Sequence, residues 1–236
     1  MVMTAESEKP GRAPLSRRQV LRAALDYVDQ HGLAALSMHK LGAALGVKAM
    51  SLYKHVTDKD DVLDGIVDLL WEEIPADPPG SDWRDAVRGL VSSLRELVHR
   101  HPSAAPLLLS RQESRGLRER PLRIAHGVLR LMREGGVPEQ CAVALLRTVF
   151  PYGIGYALTE LSLPELPPPG PDREIALIRQ VTSLLSPEAP DDLVRTALLV
   201  CGDCDMASQF RIGIDLMIYG LDAYLRTRQD TAAAAS

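Results

Sequence analysis

The sequence predicts an all-α protein: a small N-terminal tri-helical unit followed by a larger C-terminal helical one. Three observations carry this expectation. Apolar residues recur three or four apart through most of the chain, and no stretch alternates as a half-buried strand would. Two short periodic segments meet at Gly46 behind a longer one, the order of a helix-turn-helix. Pro75, Pro78, Pro79 and Gly80 then form a hard break before a second, longer series of helices. With 236 residues and 46% hydrophobic content, the chain can furnish a core to each unit.

Taken in order, residues 1–15 are polar and contain Pro10, Gly11 and Pro14, the composition of a flexible arm. Ser16 and Gln19 make a capping box, and Val20, Leu21, Ala24, Leu25 and Val28 form one stripe that stops at His31-Gly32. Ser37 caps a second helix, with Met38, Leu41 and Leu45 inward and Gly46 as the stop. A third helix, about 48–56, buries Leu52 and Val56 and turns Met50, Tyr53 and Lys54 outward. Thr57 or Asp58, each with an acidic residue three positions on, opens a fourth that runs through Val62, Ile66, Leu69 and Leu70 to Ile74. After the break, Ser81 or Asp82 restarts a helix over 83–100. Further helices are expected at about 103–110, 117–134, 138–161, 173–185, 190–201 and 206–227. The segment 164–171 reads as the longest loop, and the alanine run after Arg228 as a frayed tail. The resulting division is an arm over 1–15, the helix-turn-helix domain over 16–61, the larger domain over 62–228 and a disordered tail over 229–236.

The net charge of −4 is unevenly placed. Residues 1–60 hold nine Lys/Arg and six Asp/Glu, a surplus of +3, so the remainder carries −7. A mildly basic head on an acidic body suits a protein whose head alone approaches phosphates. Arg147 and Pro151 interrupt the most apolar stretch, 142–158, short of the ~18 residues that a membrane span needs. The N-terminus lacks the charged-then-apolar pattern of a secretory signal, so a cytoplasmic location is expected. Cys141, Cys201 and Cys204 are too few for a disulfide framework. The spacing Cys201-Gly-Asp-Cys204 invites a thiol-redox or metal reading. It has no second such pair, no nearby histidine and no βαβ surroundings, so ordinary thiols are the better reading and neither metal nor cofactor is expected. The six histidines are scattered, and His99 and His101, two apart on a helix, diverge by roughly 200°. With no Gly-rich phosphate loop and no nucleophile elbow, no catalytic residue is assigned and an enzyme is not expected.

A reading helix must be short, apolar beneath and studded outside with groups that reach base edges or phosphates, and Lys48 to His55 meets each demand. The run LSMHKLGAALGVKAMSLYKHVTDKDDVLDGIVD, above all Leu52-Tyr53-Lys54-His55-Val56 followed by Lys59, resembles the TetR family of tetracycline-repressor-like regulators across residues 16–71. A second stretch, FRIGIDLMIYGL over 210–221, resembles the last, dimer-forming helix of that family. The resemblance implies a sequence-specific transcriptional regulator, a homodimeric repressor released from a palindromic double-stranded DNA operator by a small-molecule effector. A helical protein-interaction module without DNA affinity, or a thiol-based redox sensor, stands as the alternative. By the same resemblance, Tyr53 and His55 contact phosphates or the groove wall, and Lys59 meets the backbone at the start of the fourth helix. Ser37 and His39 touch DNA from the second helix, and Lys48, Ala49, Met50 and Ser51 form the base-reading tip, with Lys54 beside them. Lys48 suits guanine, and Ala49 or Met50 a thymine methyl. The tip has no Arg, Asn or Gln, so the operator is not readable from it.

For the body, the resemblance implies that helices at about 138–161 and 206–227 of each subunit build a four-helix dimer interface. Phe210, Ile214, Met217, Ile218, Leu221 and Leu225 fall there at helical spacing, and Gly213 and Gly220 permit close helix approach. A helix buried within one chain would show the same pattern. The expected effector pocket comprises Trp71, Leu107, His126, Met132, Phe150, Tyr152 and Tyr156, apolar walls with a few polar tips. Pro106 stands where tetracycline-binding members of the family have a metal-chelating histidine. The effector is therefore expected to be a hydrophobic small molecule other than a tetracycline–magnesium complex.

Overall fold

The computed structural model describes residues 15–77, 80, 82–111, 118–162, 171–186, 188–201 and 205–234. The expected arm up to residue 14, the loop over 163–170, Cys204 and the side chain of Cys201 lie outside the described residues. Those residues form α-helices and one 3₁₀ turn, with no strand among them. In chain order the helices are α1 (Arg17–His31), α2 (Met38–Ala44), α3 (Ala49–Leu52), α4 (Lys59–Glu72), α5 (Trp83–Arg100) and α6 (Leu107–Ser110). There follow α7 (Glu119–Glu134), α8 (Glu139–Ser162), α9 (Pro171–Leu184), α10 (Asp191–Cys201) and α11 (Met206–Ala234).

The helices divide into two compact units. The head holds the described residues up to Glu73 together with Ser103–Arg118, and the body holds Ile74–Pro102 together with the described residues from Glu119. The helix-turn-helix domain expected from sequence spans 16–61; the compact head unit also keeps the rest of α4 and takes in a segment from beyond the proline break. Packing and charge both account for this. Val62, Ile66 and Leu70 of α4 are buried with Val20, Ala24 and Val28 of α1, each full burial contributing ~1.5–3 kcal/mol for a large side chain. Arg111 and Arg118 of the later segment bond to Asp60, Asp64 and Asp68, which follow one another at one-turn intervals along α4.

In the body, α5 is the central helix, packed on α7, α8 and α11. Trp83, Val87, Leu90, Val91, Leu94, Leu97 and Val98 form its buried face. Helix α8 is long and apolar enough to cross a membrane by length and composition, despite Arg147 and Pro151, and 33% of that window is buried in the chain. Its inward residues Leu145, Val149, Ile154 and Ala157 are those of a core helix. The free thiol of Cys141 is buried there too.

Two boundaries differ from expectation for local reasons. The helix expected from 103 begins only at Leu107, behind Pro106, whose fixed φ suits the start of a helix. Helix α11 continues to Ala234, into the alanine run expected to fray, because alanine is the best helix former.

Candidate nucleic-acid interface

The turn between α2 and α3 is built from backbone. Gly46 adopts φ +65°, a left-handed conformation open to glycine without penalty. This lets the Val47 amide donate to the Gly42 carbonyl (2.8 Å) and the Gly46 amide to that of Ala43 (3.0 Å), closing α2 with a Schellman motif. At the other end of α2, the Ser37 hydroxyl accepts from the Lys40 amide at 3.3 Å, so this side chain is occupied as a cap.

Leu41, Leu52 and Val56 anchor the motif from beneath. Above them Lys48, Met50, Tyr53, Lys54 and Lys59 are exposed, Ala49, Ser51 and His55 are half-buried, and His39 is exposed on α2. Of the sequence-predicted reading residues, His39, Lys48, Met50, Tyr53, Lys54 and Lys59 are thus the exposed ones. Lys48, Lys54 and Lys59 enter no ion pair among the described residues. Lys40, which sequence reading passed over, is likewise exposed beside His39.

The lysine-bearing edge is held by one buried carboxylate. Asp61 accepts both arms of the Arg17 guanidinium (2.8 and 2.7 Å) and the Thr57 amide (2.8 Å). Arg17 also donates to the His55 carbonyl at 3.0 Å, and the Asp61 amide donates to Asp58 at 2.7 Å. One fork therefore ties the end of the reading segment, the N-terminus of α4 and α1 together. The acid three residues after Asp58 is a visible sequence signal, but it reads as a cap and does not reveal Arg17 as its partner. A second buried carboxylate, Asp64, takes Arg111 at 3.0 Å and Arg118 at 3.2 Å.

The expected effector-pocket residues are divided between the two units. Trp71 and Leu107 are buried in the head, Met132 is fully buried in the body, and His126 is exposed on α7. Phe150 is half-buried. Tyr152 and Tyr156 donate their hydroxyls to the α11 carbonyls of Phe210 (3.0 Å) and Met206 (3.2 Å). Burial, with the neighbouring Tyr156, pushes the Tyr152 phenol up to about 12, so it stays protonated as a donor. Nearby, Glu160 accepts both arms of Arg95 (2.8 and 2.6 Å) and meets His99 Nε2 at 2.9 Å. A groove of about 360 Å³ beside them is lined by Arg95, Glu96, His99 and Arg100, none of them an expected pocket residue.

The dimer assignment on α11 needs correction in register. Phe210, Ile214 and Ile218 are buried within the chain itself, and Phe210 stacks on Tyr152 with ring centroids 5.5 Å apart. A Cβ on Gly213 would lie 2.1 Å from the Tyr152 hydroxyl, so this glycine serves the α8–α11 approach inside one chain. Met217, Leu221 and Leu225 are half-buried at the flank. The row turned outward is Ile212, Leu216 and Tyr219, with Gly220 beside it facing open space.

This geometry defines the class: a helix-turn-helix protein whose head is joined to a separate helical body. Residues 20–66 match the family described as bacterial regulatory proteins, tetR family, and residues 74–225 match the tetracyclin repressor-like C-terminal domain. The chain belongs to the TetR family. It is 36% identical over 108 residues to an HTH-type transcriptional regulator of Saccharopolyspora erythraea, covering 45% of each. To the HTH-type transcriptional repressor DrrR1 of Streptomyces coeruleorubidus it is 32% identical over 159 residues, 65% of this chain and 57% of that one. The match thus spans about half the length of these two relatives. The crystal structure of apo ActR from Streptomyces coelicolor aligns with a TM-score of 0.72 at 26% identity, over 90% of this chain and 97% of ActR. ActR in complex with actinorhodin aligns over the same shares with a TM-score of 0.70.

Proposed function

We propose that this protein is a dimeric, sequence-specific DNA-binding regulator of transcription, acting in the cytoplasm as a repressor that a small organic effector releases from a palindromic operator. The observation that carries this reading is the set of exposed lysines, unpaired among the described residues, and Tyr53 on the outer side of a tri-helical head whose inner side is anchored by Leu41, Leu52 and Val56. Lys48 and Ser51 face base edges, while Tyr53, His55, Lys54 and Lys59 donate to phosphates along the groove. DrrR1 is named a repressor, and ActR has been seen both without ligand and with actinorhodin, which supports a ligand-responsive role.

Dimerisation through α8 and the outward row Ile212, Leu216 and Tyr219 of α11 sets two heads at one spacing. A dimer reads half-sites about one helical turn, ~34–36 Å, apart or a multiple of that. An effector that prefers a conformation with another spacing weakens DNA binding, and DNA weakens effector binding by the same factor.

The test is selection of bound sequences from a random duplex library, with wild type beside Tyr53→Ala, at two salt concentrations. The expected result is a palindrome enriched by wild type, lost in the variant and bound more weakly at higher salt. No enrichment by folded wild-type protein would overturn the reading and favour a protein-interaction module.

A further inference from the structure

Lys48, Ala49, Met50 and Ser51 include no arginine, asparagine or glutamine, and of the four only Lys48 could bridge two atoms of one base edge, on guanine. Resting on the DNA-binding reading above, we propose that Met50 is a specificity-determining residue of the reading helix and that it reads a thymine C5-methyl group in each half-site.

Met50 is 75% exposed, more than any other large apolar side chain described in the head. Its direction is fixed by its neighbours. Leu52, two residues on, is 0% exposed, and two helical residues are roughly 200° apart, so anchoring Leu52 in the core turns Met50 away from it. The base of the helix is also fixed: a Cβ on Gly42 would meet the Val47 carbonyl oxygen at 2.9 Å and the Ala49 amide at 3.1 Å, so α2 and the start of α3 are as close as backbone allows. Ala49 is half-buried and one carbon long, which leaves Met50 as the apolar group that reaches outward.

Charge supplies the occupant. Lys48 precedes Met50, and Lys54 and Lys59 follow it, all exposed and without an intramolecular ion pair among the described residues. With Lys54 and Lys59 on the phosphates and Lys48 at the base edges, the thioether would be carried into the major groove. A thioether donates no hydrogen bond and accepts one weakly. Pressed on a guanine, cytosine or adenine edge it would strip water from donors and acceptors without replacing it. The thymine methyl is the apolar feature of the major-groove edge, so burying the Met50 side chain is favourable there.

The experiment replaces each thymine of the selected palindrome, one position at a time, by deoxyuridine, which removes only the methyl. Dissociation constants are measured by fluorescence anisotropy for wild type, Met50→Leu and Met50→Ala. At one thymine per half-site, uracil should weaken wild type about fourfold, the effect of one buried methyl. Met50→Leu should keep most of that penalty, and Met50→Ala should bind thymine and uracil operators alike. If every uracil penalty in wild type persists unchanged in Met50→Ala, the Met50 assignment is overturned while DNA binding stands. If wild type enriches no duplex at all, both readings fall.

Discussion

In the head, Arg17 grips Asp61 and two later arginines, Arg111 and Arg118, grip Asp64, while Lys48, Lys54 and Lys59 stand outside unpaired among the described residues. In the body, Arg84 grips Asp222, Arg88 grips Asp215 and Arg95 grips Glu160, yet the outward row of α11 is Ile212, Leu216 and Tyr219. Both units use arginine and carboxylate to fix helix on helix, and they differ in what they leave unsatisfied. Exposed cations call for a polyanion, and an exposed apolar row calls for another apolar surface. On the reading proposed here, the first partner is DNA and the second is another copy of the chain.

The largest expected effect comes from charging the apolar row. Leu216→Glu should leave the circular dichroism of the chain unchanged, halve its mass in sedimentation and weaken operator binding about 10²–10⁴-fold, because two linked heads become two separate ones. An unchanged dimer mass would place the interface elsewhere. Next is Asp64→Asn, which leaves Arg111 and Arg118 without their shared buried acceptor. Denaturant unfolding should show a loss of about 3 kcal/mol.

Glu160 tests the same device in the body. Burial pushes its carboxyl up, but the hydrogen bonds from Arg95 and His99 outweigh that and hold it below the ordinary carboxylate range. A carboxyl depressed in the folded state contributes stability that is present above its unfolded value of about 4.3 and is lost as pH falls through the lower folded value. Thermal melts of wild type should therefore weaken as pH drops below about 4. Glu160→Gln should cost ~2 kcal/mol at neutral pH and show a shallower acid decline. The smallest effect is expected for Lys54→Ala: operator affinity should fall alike for all duplex sequences, and the slope of log affinity against log salt should drop by about one.

Sequence alone went furthest where structure is local. The capping pair Ser16 and Gln19 and the Gly46 turn lie within a few residues of their partners, and the inward set Leu41, Leu52 and Val56 follows from helical spacing. It fell short where partners are distant. The spacing of Asp60, Asp64 and Asp68 is plain in the chain, but nothing near them points to Arg111 and Arg118 some fifty residues on. On α11 the failure has another cause. The helix is apolar on two faces, and periodicity does not say which face the chain keeps for itself, so the expected interface row includes Ile214 and Ile218, which are buried within the chain. The expected pocket residues share a chemical type, apolar with a few polar tips, and type alone does not place Trp71 and Leu107 in the head or Met132 in the body.

The most direct test of the central claim is the number of chains on DNA, measured by sedimentation of wild-type protein with the selected palindrome and with a single half-site. Two chains on the palindrome, with the half-site bound at least about a hundredfold more weakly, is the predicted result. One chain on the palindrome, or equal affinity for the half-site, would contradict it.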